Sequence, residues 1–355
     1  MTTSRLHAWF LAAVAATAVA LTATTAPAAD DAWCSPPAVA GGKIVLRTVM
    51  LEDEDDNPKA AGKAAAEALV KAMGDTEPKL VLVAECFEDL EYKQPLLEGI
   101  TSVLPKDVVL GGATYGAFTQ RGCTDFDSVC LLGIGGEGIS VAAALVTDLG
   151  TSKLVFEDHE AEIKTRLRAA GKKLAGKLRK TDQDRLLVLV ADAHSPKNRY
   201  LVEGAQQVVG KDFAVTGGAA NKNAGQTFVY FRGKPYQDAA VAVMLSGDFC
   251  VSLAGRKGQD NDAVIRTAGE GAAEAMKGMR EKPIAVLSFN CAGRRGKLDN
   301  YDDELAAIQK EIGKDLPLWG CYCAGEIGPL DATERQPGVR CGGSGWHVMF
   351  TVIGR

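Results

Sequence analysis

Three times the chain runs from a Lys-Asp pair into a short apolar stretch that stops at glycine: residues 106–113 (KDVVLGGA), 211–219 (KDFAVTGGA) and 314–321 (KDLPLWGC). Internal repetition constrains a fold strongly, because every copy must adopt the same local structure and the copies must then bury their faces against one another. The echo extends in both directions. Upstream of each copy lies an uncharged apolar run that ends on a polar residue: residues 80–85 to Glu85, 186–192 to Asp192, and 284–290 to Asn290. Continuous runs of this length, rich in Val, Leu and Ile, read as strands buried on both faces.

An Ala-rich, charge-dotted helix precedes each such strand, over residues 59–73, 161–178 and 262–279, and a shorter helix follows it, over 94–103, 199–209 and 301–312. After the glycines a hairpin is expected. In the first unit it pairs 128–132 with 139–146 around the glycine-rich 133–138. In the second it pairs 227–231 with 239–245 around 232–235, and the third unit stops after one strand, 346–353. Each unit therefore reads helix, strand, helix, strand, hairpin. The strand–helix–strand part predicts a right-handed parallel crossover and the hairpin adds antiparallel strands. The fold class is α/β: mixed parallel and antiparallel sheets with packed helices, in three pseudo-repeats.

In parallel sheets ligands approach the carboxyl ends of strands, and glycine there admits a ligand or a neighbouring backbone. Gly111 and Gly112, Gly217 and Gly218, and Cys321 are the three sets of small tips. If they gather round one crevice they make a ligand site; each taken singly is a tight turn.

The chain opens with a leader pattern: Arg5, then an apolar run over residues 8–21, then Ala26-Pro27-Ala28. This predicts a secretory signal over 1–28 cleaved near Ala28, a linker over 29–56, two α/β units over 57–260 and the third over 261–355. No later run is long enough to span a bilayer. The net charge of -5 over 355 residues excludes a broad nucleic-acid surface. Export to a periplasmic or extracellular compartment would let some of the nine cysteines form disulfides, with Cys123–Cys130 and Cys341 to Cys321 or Cys323 as candidates.

Two stretches of the third unit carry distinctive patterns: Phe289-x-Cys291-x-x-Arg294, and Gly320-x-Tyr322-x-x-Gly325-Glu326-Ile327-Gly328-Pro329. With Gly217-Gly218-Ala219-Ala220 in the middle, the chain resembles the FIST family, a sensory module of bacterial signalling proteins, over roughly residues 60–353. The third unit is shorter than the family's carboxyl-terminal half, and the chain is expected to lack the kinase, cyclase or chemoreceptor segments to which family members are often fused. The resemblance implies a sensory role for small, amino-acid-like ligands, and leaves the signalling partner unspecified.

Residue chemistry points the same way. Arg294 can bind a carboxylate through two parallel hydrogen bonds and Glu326 can hold an ammonium, which suits a zwitterion or a small carboxylate. The two can equally pair with each other as a brace. Tyr322 walls the pocket or fills core. Cys291 matches Cys86 in position and reads as a buried thiol or a ligand contact; as a nucleophile it would need a base. Asp192-Ala193-His194-Ser195 reads as a loop lip, with Asp192, His194 and Asn198 as candidate ligand contacts. Cys321, Cys323 and Cys341 lack a fourth zinc ligand at finger spacing, the 133–138 glycines precede a strand rather than a helix, and the acidic 51–56 run lacks a calcium loop's pattern. The expectation is a binding protein without metal, cofactor or catalytic residues; the alternative is a secreted hydrolase using Cys291 as nucleophile or Glu326 as acid/base.

Overall fold

The apolar run that leads each unit becomes its central strand: Pro78–Glu85, Asp184–Ala191 and Pro283–Cys291. Each pairs in parallel with the strand that follows the Lys-Asp signal: Val109–Ala113, Val215–Ala219 and Leu318–Cys323. A computed structural model of the chain describes residues 31–223 and 226–355. The expected leader lies outside those residues.

Helices α1 (Pro58–Met73), α2 (Lys93–Thr101), α3 (Phe156–Lys177), α4 (Asn198–Val209), α5 (Asn261–Gly278), the short α6 (Ala292–Arg295) and α7 (Tyr301–Ile312) form where Ala, Leu, Lys and Glu dominate. Their ends follow local chemistry. Asn57, Asp260 and Asn300 cap α1, α5 and α7 through side-chain oxygens that accept a backbone N–H, and Pro58 opens α1. Gly210 and Gly313 end α4 and α7 at positive φ.

Three large sheets share one plan. The first runs Val45–Glu52, Ser128–Gly135, Pro78–Glu85, Val109–Ala113, Val229–Phe231, Lys234–Tyr236. The third runs Cys250–Lys257, His347–Gly354, Pro283–Cys291, Leu318–Cys323, Ala117–Thr119, Gly122–Cys123. The second has Ile139–Val146, Ala240–Gly247, Asp184–Ala191, Val215–Ala219, Glu326–Gly328 and Gly342–Ser344, with Ala32–Cys34 added at its first edge.

In every sheet the last two strands come from another unit. Unit one lends its small hairpin to sheet three, unit two to sheet one, and unit three to sheet two. The exchange closes a ring of backbone hydrogen bonds at the strand tips. Asn221 N–H donates to Ala113, Ala324 N–H to Ala219, and Tyr115 N–H to Tyr322, at 2.8, 3.0 and 2.8 Å. Ala113, Ala219 and Tyr322 in turn donate to Phe228, Gly325 and Gly116. These contacts define a pseudo-threefold arrangement, with Gly112, Gly218 and Cys321 in equivalent places.

The period-two alternation of the central strands explains the layering. Leu80, Leu82, Leu186, Val188, Ala285 and Leu287 face a single core shared by all three sheets. Their neighbours Val81 and Val83, Leu187 and Leu189, and Val286 face three separate cores under the helix pairs. Both faces are thus covered, which is why the runs are apolar without interruption.

Three expectations need correction. The expected hairpins do not form: Ser128–Gly135 and Ile139–Val146 belong to different sheets, and so do Val229–Phe231 and Ala240–Gly247. The glycine-rich 133–138 stretch carries the chain from one sheet to the next, so each unit begins one strand earlier than the repeat in the text suggests. The segment expected as a linker contributes strands Ala32–Cys34 and Val45–Glu52. Finally, all nine cysteines are free. Cys130, Cys321 and Cys323 lie in the shared core while Cys341 packs in the core under α3 and α4, and the Cys123 thiol faces the Tyr301 carbonyl, so none of the three candidate pairings has its partners together.

Candidate functional site

The glycine tips do meet, and the reason is packing. Gly112, Gly218 and Cys321 line one axial cavity with Val190, Phe289 and Trp319, and its volume is about 20 Å³. That is room for one water. Gly112 faces Val190 and the Phe228 carbonyl, and a Cβ on Gly218 would run into the Cys323 sulfur. Gly111 and Gly217 hold φ of 146° and 144° directly over the carbonyls of Val83 and Leu189. The small residues allow three sheets to close on one axis.

The third-unit motifs form a buried polar assembly. Arg294, completely excluded from solvent, donates to Glu304 Oε1 at 2.8 Å, to the Val264 carbonyl at 2.8 Å and to Thr267 at 3.0 Å. Tyr322 donates its hydroxyl to Glu304 Oε2 at 2.8 Å. Arg294 therefore answers to Glu304 on α7 rather than to Glu326. Glu326 is itself buried; its Oε2 accepts the His347 N–H at 2.9 Å, and Oε1 has no hydrogen-bond partner of good geometry among the described residues. Burial lifts its pKa to about 8, partly offset by the His347 N–H and the Cys291 thiol. Burial and the Glu326 charge push Cys291 up to about 12, so it stays a thiol at neutral pH.

Each unit buries a polar residue in the first turn of its second helix. The close helix contacts of Gly62 with Leu96, Gly171 with Leu201 and Gly269 with Ala307 align Lys93, Asn198 and Glu304. Each is buried and each ties the helix to a strand end or a lent strand. Lys93 bonds both oxygens of Glu85 at 3.0 Å, and Glu85 also accepts the Tyr230 hydroxyl from the lent hairpin. Asn198, expected from the sequence as a ligand contact, instead donates to the Glu326 and Ser344 carbonyls at 2.9 and 3.0 Å and is buried beneath the lent strands.

An open pocket remains at the carboxyl end of the second central strand. It has a volume of about 510 Å³ and is built entirely from unit two, within the usual range for small-ligand sites. Asp192, the residue just past the strand, stands where units one and three carry Cys86 and Cys291. Ser152 donates to Asp192 Oδ2 at 2.8 Å and lies 2.9 Å from Asp238 Oδ1, and the Asp238 N–H donates to Asp192 Oδ2 at 3.2 Å. Asp192 thus uses Oδ2, and its Oδ1 takes no hydrogen bond from the described residues. Asp238 is held by the Gly150 N–H at 2.8 Å.

Basic groups face these carboxylates. Lys197 is fixed by the carbonyls of Thr151 and Leu154 at 2.8 and 2.7 Å, and burial lowers its pKa while Asp192 opposes the shift. Lys222 and Lys153 stand at the exposed rim. His194 lies 3.3 Å from Thr227, and burial lowers its pKa, which keeps the ring neutral at pH 7. Of the residues singled out in sequence, Asp192 and His194 come together here, while Arg294, Tyr322, Glu326 and Cys291 sit in the buried third-unit assembly. Sequence reasoning missed Ser152, Lys197, Lys222 and Asp238. Aligning the repeats would have shown one useful signal, a charged Asp192 where the other two units place cysteine.

The family's FIST N domain matches residues 79–264 and its FIST C domain matches residues 252–329. No curated protein matches the chain. Among solved structures it is distantly similar to a cyanuric acid hydrolase described as an evolutionary innovation by structural concatenation, at 12% identity and TM-score 0.39 over 88% of this chain and 99% of that one. The enzyme of that name from A. caulinodans gives 11% and 0.42 over 88% and 99%. A thiamine-monophosphate kinase from Stenotrophomonas maltophilia gives 10% and 0.22 over 88% and 75%. With the N-domain match covering more than half of its length, this chain belongs to the FIST family, a family of sensory modules for small ligands.

Proposed function

We propose that this protein is an exported sensor that binds an amino-acid-like or small carboxylate ligand in the unit-two pocket without transforming it. One observation carries the reading: the pocket sets an open carboxylate oxygen of Asp192 beside the ammonium of Lys197, with Lys222 and Lys153 at the rim. A zwitterion satisfies both signs at once, its ammonium on Asp192 and its carboxylate on the lysines. The polar floor is already hydrogen-bonded, so little ordering is left to oppose binding. The high pKa of Cys291 supports a binder over a thiol enzyme.

The test is a thermal-shift screen of the mature chain against amino acids and small carboxylates, since a ligand that binds only the folded state raises its melting temperature. A saturable rise with at least one amino acid, lost in Asp192→Asn, supports the reading. No rise with any member, or a rise that survives Asp192→Asn unchanged, overturns it. Turnover of a reporter ester that disappears in Cys291→Ala would favour the hydrolase instead.

A further inference from the structure

We propose a second site, distinct from the unit-two pocket: the cleft between α4 and residues 330–344 receives a small polyanion bearing phosphate or carboxylate groups. The cleft has a volume of about 610 Å³, again within the range of small-ligand sites.

Its outer wall exists in one unit only. The lent hairpin turns through Gln120-Arg121 in unit one and through Arg232-Gly233 in unit two. In unit three the same connection, between Glu326–Gly328 and Gly342–Ser344, runs through residues 329–341. Two residues suffice to reverse the chain at this point, so closing the fold does not require the longer segment. Long surface loops on a rigid scaffold are where binding functions concentrate. This loop is held in place: Gln206 on α4 donates to the Cys341 carbonyl at 2.7 Å, and the Arg340 N–H donates to the Lys211 carbonyl at 3.0 Å. The second contact links Arg340 to Lys211, just beyond α4.

The charge is unlike that of the rest of the molecule. The whole chain carries -5, yet the cleft is lined by Arg168, Arg199, Lys211, Arg335 and Arg340. Its two acids are already engaged. Glu203 accepts from Arg168 at 2.7 Å, and Glu334 is paired with Lys257. Arg199 is paired with Glu160, but its Nε is buried with no hydrogen-bond partner among the described residues. Among the described residues Arg335 donates to the Leu330 carbonyl alone, at 3.1 Å. Lys211, Arg335 and Arg340 have no carboxylate partner among the described residues, so the cleft is lined by about three positive charges without a paired acid. Like charges gathered this way repel, and a bound anion of matching charge relieves the repulsion. Guanidinium forks fit the paired oxygens of phosphate and carboxylate. The limited volume of the cleft and the small number of cations along its exposed rim select a compact anion of two or three charges over a nucleic-acid strand.

The experiment is calorimetric titration of the mature chain with pyrophosphate and with citrate, using acetate as a monoanionic control. Saturable binding of pyrophosphate or citrate is expected, weakening as salt is raised and much stronger than for acetate. The triple variant Lys211→Gln, Arg335→Gln, Arg340→Gln should weaken binding by about 30-fold or more, while Asp192→Asn leaves it unchanged. The single Arg335→Gln, a change on an exposed loop, should weaken it by about three- to tenfold and guards against a folding defect in the triple variant. Pyrophosphate alone marks a phosphate ligand, citrate alone a polycarboxylate. No saturation by either probe, equal binding by the triple variant, or loss of binding in Asp192→Asn would overturn the proposal.

Discussion

Arg294 and Glu304 form an ion pair of 2.8 Å in which both side chains are almost wholly removed from solvent. Glu304 also accepts from Tyr322, so one carboxylate on α7 joins an arginine and a tyrosine from the two third-unit motifs. Removing one partner of such a pair leaves a charge without compensation in a dry site. Glu304→Ala should therefore destabilise the fold by about 3–5 kcal/mol in urea unfolding. Exchanging both partners for apolar residues of similar volume, Arg294→Met with Glu304→Leu, should cost clearly less than the single change. If the single variant unfolds at the wild-type midpoint, the network is not a brace.

Glu326 predicts a pH dependence with a definite sign. Burial raises its folded-state pKa from the ordinary 4.5 to about 8. The folded state therefore holds a proton that the unfolded state releases, and the carboxyl's contribution to stability is full below about pH 4.5 and is lost as pH rises to about 8. Glu326→Gln removes this dependence and keeps an oxygen for the His347 N–H. The melting temperature of Glu326→Gln minus that of wild type should increase from pH 5 to pH 8.5 by several degrees. A difference that stays flat over this range would refute the buried, protonated acid.

His194 gives the unit-two pocket its own profile. Its pKa lies below the usual histidine range because the ring is buried. Affinity for a carboxylate ligand should be level between about pH 7 and pH 8 and rise at acid pH, as the ring gains a positive charge. In His194→Ala the acid rise should disappear. Titration calorimetry across pH reads both, and an unchanged acid rise in the variant would place the charge elsewhere.

The axial glycines rank by what surrounds them. Gly217 combines positive φ with the Leu189 carbonyl beneath it, Gly218 meets the Cys323 sulfur, and a Cβ on Gly112 would lie 3.0 Å from Val190 and 3.1 Å from the Phe228 carbonyl, a tight fit that a small shift relieves. Alanine should cost most at Gly217, about 1–3 kcal/mol at Gly218, and least at Gly112. Denaturant midpoints measure the order; a Gly112 variant as damaged as the Gly217 one would contradict this view of the axis.

Much of the architecture was legible in the text of the chain. Central strands, helix pairs and the threefold echo depend on neighbours in sequence: uninterrupted apolar runs, helix-forming stretches and glycines at strand ends. The α/β class followed from them, and the third-unit motifs carried the family. What could not be read was partner choice. Nothing local tells Val229–Phe231 to leave its own sheet for that of unit one, because either edge offers the same backbone hydrogen bonds, and only the closed ring of tips decides between them.

The site divides the same way. Sequence by itself determined that small residues stand at three strand ends and that Asp192 and His194 stand beside one of them. Only the tertiary structure decided that the axis is filled, that Arg294 turns to Glu304, and that unit two keeps an open pocket. The physical reason is that side-chain pairing and empty volume are set by groups far apart in the chain, and a local pattern cannot encode the distance between them.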